Sequence, residues 1–140
     1  MSAAISRVLR RAALGFLFLA SSKLQAEYLH ILLKIYGLDC ELCARGVSAS
    51  VARLDGVESV KVSVKTGLLE ISLKPGNTFK IKDLRKRIRQ NGFRAMEATV
   101  TADGRFEGSR FEVEGAGEFY DLGRRSSEQQ TAHEVTFDIR

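Results

Sequence analysis

Residues 57–73 read VESVKVSVKTGLLEISL, from Val57 to Leu73. Val60, Val62 and Val64 alternate with polar residues, the pattern of a half-buried strand. After Lys65-Thr66-Gly67, a turn in which glycine supplies the unusual φ, Leu69, Ile71 and Leu73 alternate in the same way. The stretch predicts a β-hairpin, broken at its end by Pro75-Gly76-Asn77. Upstream, Val47, Val51 and Leu54 recur at spacings of four and three, the buried stripe of a helix running from about Ala44. Asp55-Gly56 closes that helix as its C-cap and turn. Before it, Tyr28–Ile35 (YLHILLKI) reads as a strand ended by Gly37. Downstream, Ile81, Leu84 and Ile88 mark a second helix, ended by Asn91-Gly92 through a left-handed cap. Phe93–Val100 supplies a fourth strand. This order predicts an α+β fold: a ferredoxin-like βαββαβ antiparallel sheet with two helices on one face.

The chain has 140 residues, 44% hydrophobic and 28% charged, which is ordinary globular composition. That length fits one domain with a small appendage and excludes a large multidomain enzyme. Two cysteines cannot frame a disulfide-dense mini-fold. The net charge of +5 suggests nucleic-acid binding, but its distribution argues otherwise. Residues 1–26 hold Arg7, Arg10, Arg11 and Lys23 and no acid, so four of the 22 cations lie there. Without them 18 basic groups face 17 acidic ones, a net charge of +1.

A basic opening, the apolar run Ala12–Ala20 (AALGFLFLA) and small residues after it make residues 1–26 a signal peptide in this reading. Cleavage after Ala26 and cleavage after Ser22 are the two options. The run is too short to span a bilayer, which needs about 20 apolar residues. Export predicts a periplasmic or otherwise oxidising location. The alternative is an amphipathic N-terminal helix packed on the domain.

Residues 27–100 then form the main domain and residues 101–140 a short β-rich extension. Asp103-Gly104 turns the chain into Arg105–Gly115, Glu118–Leu122 and Glu134–Ile139 (EVTFDI), read as three short strands that extend the sheet or form a small module. Arg124–Thr131 is polar and reads as a loop.

Cys40-Glu41-Leu42-Cys43 falls at the strand-to-helix corner. A CxxC bend brings two sulfurs onto one ion, and a helix start lowers thiol pKa. Soft thiolates select Cu(I), Hg(II), Zn(II) or Cd(II) over Mg(II) or Ca(II). Two sulfurs suit near-linear Cu(I) or Hg(II), since tetrahedral zinc needs about four ligands. The same spacing also serves redox pairs and structural disulfides.

Gly37-Leu38-Asp39-Cys40-Glu41-Leu42-Cys43, the stripe Val47, Val51, Leu54, the run Gly56–Val60 and Asn91-Gly92-Phe93 together resemble the heavy-metal-associated domain over about residues 28–100. That family includes small copper chaperones and the periplasmic mercury-binding protein. The resemblance implies a ferredoxin-like fold and a soft-metal carrier, with Cys40 and Cys43 as metal ligands and ligand exchange as the means of transfer. It places Leu38 and Phe93 beside the metal loop, Leu38 standing where relatives usually have Met. Asp39 resembles the variant in zinc-group transporters, where the carboxylate adds a ligand; as an N-cap of the first helix it has a purely structural role.

His30 reads as a packed or edge histidine, His133 as remote from the cysteines, and Met96 as core. Lys80, Lys82, Arg85, Lys86, Arg87 and Arg89 make the second helix basic, a solvated face or a dock for an acidic partner such as a membrane metal transporter, with Lys82, Arg85, Lys86 and Arg89 as its contacts. RNA binding is disfavoured because the middle strands lack stacking aromatics. The reading is therefore an exported binding protein, not an enzyme: a monomer without nucleic acid or a membrane span, carrying one soft metal ion. A thiol–disulfide oxidoreductase and an adaptor domain with a structural disulfide are the rival readings. The first lacks a Trp before the motif and a later cis-Pro position, Pro75 being the only proline.

Overall fold

A computed structural model describes residues 27–123 and 134–140. The leader reading of residues 1–26, the loop reading of Arg124–Thr131 and His133 lie outside the described residues. The elements follow the order β1 (Tyr28–Tyr36), α1 (Glu41–Val51), β2 (Val57–Ser63), β3 (Leu68–Leu73), α2 (Ile81–Gln90) and β4 (Arg94–Asp103). Then come β5 (Arg105–Glu107), β6 (Arg110–Val113), β7 (Glu118–Asp121) and β8 (Glu134–Ile139).

Strands β2, β3, β1 and β4 lie side by side in that order, every pair antiparallel, and β8 joins the outer edge of β4. The first four strands in this order, with a helix after β1 and another after β3, are the ferredoxin-like arrangement. The alternation of β2 and β3 sets the register: Val60 opposes Ile71 and Val62 opposes Leu69. Gly67 and Gly92 take the positive φ, 63° and 85°, that their turns demand.

Val47 and Val51 of α1 and Leu84 and Ile88 of α2 are buried with Ile31, Leu33, Leu69, Ile71 and Val100 of the sheet. These apolar faces make one core. α1 ends differently from expectation. Its C-cap is Ala52, still right-handed, and Gly56 belongs to a separate turn. Gly56 has φ +83°, and a Cβ there would stand 2.8 Å from the Cβ of Asn77. Asn77 itself is buried. It donates through Nδ2 to the carbonyls of Tyr28 and Lys74, both at 2.8 Å, and accepts the Phe79 N–H at 3.1 Å.

β4 starts one residue later than predicted and runs three residues further, to Asp103. Met96 is exposed rather than core. Leu33 pairs with Ala98 and Ile35 with Ala95, so β4 holds one extra residue there, and the bulge turns both Met96 and Glu97 outward.

Among the described residues the extension has four strands rather than three. Arg105–Gly115 folds as a hairpin because Gly108-Ser109 turns the chain between β5 and β6. Both expectations for its placement hold in part: β5, β6 and β7 form their own antiparallel sheet, while β8 extends the main one. Phe106, Phe111 and Tyr120 lie opposite one another across the small sheet, and Phe111 and Tyr120 reach Phe137 of β8 with ring centroids 5.7 and 4.8 Å away. Phe111, Val113, Val135 and Phe137 thereby join the core that holds the two helices. Gly104 lets β4 pass into β5: a Cβ there would meet the Glu112 carbonyl oxygen and stand 2.7 Å from the Phe111 ring.

Candidate metal-binding loop

β1 delivers the chain into Gly37–Asp39, and the first turn of α1 takes it back. Leu38 is buried and anchors this loop in the core, consistent with a packing role. Phe93 is half-buried against the same core, and its ring lies 4.0 Å from where a Cβ on Gly37 would be. Tyr36, Arg89 and Arg94 line a shallow groove with Phe93 on the flank of the loop. Leu42, between the cysteines, is 79% exposed.

Cys40 is the N-cap of α1, with extended backbone, and its Sγ accepts the Cys43 N–H at 3.0 Å. Asp39 is therefore not the cap. It lies exposed one position too early, so its carboxylate does not take the N–H that the sulfur holds. Cys43 lies in the first turn of α1, and the two residues are joined by a disulfide with Cα atoms 5.2 Å apart. The pair is half-buried at the tip, where one sulfur already accepts a backbone N–H and the helix N-terminus adds positive potential. Among the described residues no three His, Cys, Asp or Glu side chains form a group able to hold a metal, so Asp39 does not gather with the two sulfurs.

His30 is far from this loop. It lies on β1 with Nε2 3.2 Å from Glu70 Oε1 on β3, on the sheet face away from the helices. On α2, Lys82, Lys86 and Arg89 are exposed and follow one another along one side of the helix. Arg85 departs from them. It is half-buried, its charge acts on Tyr120 of the extension, and among the described residues its buried Nη2 has no hydrogen-bond partner.

Sequence reasoning missed a polar cluster at the opposite end of the molecule. The Tyr28 hydroxyl donates to Glu118 Oε2 and lies 2.6 Å from the Tyr120 hydroxyl. The same Glu118 oxygen accepts the N–H of Ile81 at 3.3 Å, so a residue of β7 caps α2, whose own N-cap Lys80 makes no side-chain cap. Burial, then the hydrogen bonds to Glu118 and Tyr120, push the Tyr28 hydroxyl far above the usual tyrosine range. Burial first, with the Glu118 charge adding, pushes Tyr120 up to about 12. No local pattern announces a carboxylate that caps a helix 37 residues earlier.

A sequence profile of the heavy-metal-associated domain matches residues 32–94. The copper chaperone CopZ of Bacillus subtilis (strain 168) is 31% identical over 61 residues, 44% of this chain and 87% of that protein. Among solved structures, oxidised MerP from Ralstonia metallidurans CH34 superposes with a TM-score of 0.45 at 19% identity, covering 49% of this chain and 94% of that one. A putative copper-ion-binding protein from Bacillus anthracis str. Ames superposes with a TM-score of 0.43 at 28% identity, covering 51% and 96%.

Proposed function

The chain belongs to the heavy-metal-associated domain family, and from that premise we propose that it carries a soft metal ion on Cys40 and Cys43. The observation that supports this most directly is the position of the two sulfurs. Cys40 caps α1 and Cys43 lies in its first turn, both half-buried at the tip of the loop. Reduction of the disulfide by an external dithiol returns two thiols, with two electrons taken from the reductant. Binding of the ion then releases the two thiol protons. The N–H of Cys43 and the helix N-terminus hold negative charge at Cys40, making it the first sulfur to capture the ion. With two protein ligands, the ion keeps room for an incoming thiolate, which adds before a cysteine leaves. Transfer by ligand exchange follows, and the favoured cargo is Cu(I) or Hg(II), with Zn(II) and Cd(II) behind them.

In this reading the recipient is an acidic-surfaced protein, such as a membrane metal transporter, that meets Lys82, Lys86 and Arg89. The basic, acid-free opening and the apolar run Ala12–Ala20 support export to an oxidising compartment. N-terminal sequencing of the mature protein tests that part.

Native mass spectrometry of the reduced protein in competing Cu(I), Hg(II) and Zn(II) tests the carrier reading. One ion per chain is expected, lost in Cys40→Ser/Cys43→Ser. Equal binding by that variant, or no ion on the reduced wild type, overturns it. The disulfide supports a second reading, in which the closed pair is permanent and structural. A pair that stays two protons lighter than the dithiol under mild reductant is the result that reading requires.

A further inference from the structure

The βαββαβ order leaves β4 at an edge; β8 covers it and, among the described residues, is the new edge. Among the described residues β8 pairs with β4 alone, so its outer backbone groups face away from the sheet. Such an edge is a template for a further strand.

The sequence of that edge matches itself. In antiparallel pairs, residues directly opposite share a sheet face, so two copies of β8 meet about a two-fold axis normal to the sheet. With the axis at Phe137, Val135 meets the second copy's Ile139, Thr136 its Asp138 and Glu134 its Arg140. Apolar residues then face apolar ones on the core side, and opposite charges face each other at both ends. With the axis at Thr136, Glu134 would instead face Asp138, carboxylate against carboxylate, which disfavours that register. Glu134, Thr136, Asp138 and Arg140 are all exposed, and Ile139 is only half-buried, as the proposed pairing requires.

We propose that β8 pairs with β8 of a second copy in the register centred on Phe137, joining two five-stranded sheets into one. This departs from the monomer expected above, and it does not rest on the carrier reading. The full 140-residue chain is examined by sedimentation velocity in reductant and chelator, with circular dichroism to confirm folding. The wild type sediments as a dimer. Because the Glu134–Arg140 contact occurs twice per dimer, Glu134→Arg and Arg140→Glu each weaken the dimer about tenfold or more. The double reversal, Glu134→Arg/Arg140→Glu, restores it, and Cys40→Ser/Cys43→Ser leaves it intact. A monomeric wild type, a dimer indifferent to the single reversals, a double reversal without rescue, or a dimer that needs the cysteines overturns the proposal.

Discussion

Replacing Phe111 by alanine separates an ornamental extension from an integral one. Phe111 is fully buried, with the Phe106 and Phe137 rings 5.0 and 5.7 Å away. One side of its ring rests on Gly104, which has no side chain to move into the space left behind. A Phe→Ala change in a core costs about 3–5 kcal/mol, and a site that cannot collapse lies in the upper half of that range. Against a total stability of about 5–15 kcal/mol the loss is large. At a urea slope of about 2 kcal/mol per molar, the midpoint falls by about 2 M. The assay is urea unfolding of the reduced protein by circular dichroism. Phe119→Ala serves as control: that residue is on the same small sheet but 55% exposed, and its loss costs less than about 1 kcal/mol. A midpoint shift under about 0.5 M, or a second transition that alone responds to Phe111→Ala, would refute the single shared core.

Stability falls as pH rises from about 10 through 12. The folded state holds Tyr120 protonated up to about 12, against a usual tyrosine value of about 10, and Tyr28 is shifted in the same direction. The contribution is whole below the unfolded value and is lost as pH climbs through the folded one. Tyr120→Phe flattens this alkaline limb in denaturation measured across pH. Gly46→Ala raises the melting temperature, because a methyl at that helical position meets nothing within 4 Å among the described residues and alanine favours helix by about 0.5–1 kcal/mol. Gly56→Ala lowers it, since φ is +83° and the new Cβ would press on Asn77.

What the sequence disclosed follows from distance along the chain. Valine alternation at Val60, Val62 and Val64 and the spacing of Ile81, Leu84 and Ile88 are local patterns, and the elements they announce are present. The cysteine pair was equally legible, because two residues of spacing at a strand-to-helix corner sufficed. The cap was not. Cysteine and aspartate stand side by side there, and only backbone geometry decides that the Cys40 sulfur, not the Asp39 carboxylate, takes the Cys43 N–H. The bulge that exposes Met96 depends on pairing with Leu33 and Ile35, about 60 residues upstream. The same distance hides Arg85: three of the four cations named on the second helix, Lys82, Lys86 and Arg89, are exposed, but the charge of Arg85 acts on Tyr120 of a sheet that starts at Arg105.

The hydroxyl of Tyr28 meets a carboxylate 90 positions later, and that interval has a consequence for biosynthesis. A ribosome delivers about 5–20 residues per second, so the first strand waits several seconds for Glu118. Until Glu118 arrives, the elements from β1 to β4 have only one another to pack against. The seat for Phe111, Phe137 and Glu118 stays vacant, and the second helix begins with an unmet N–H. Closure of the base therefore cannot precede the synthesis of Glu118. Pairings this distant in sequence slow it. Chains that end before residue 118 would show the apolar floor beneath Tyr28 to a hydrophobic dye, and the full chain would hide it.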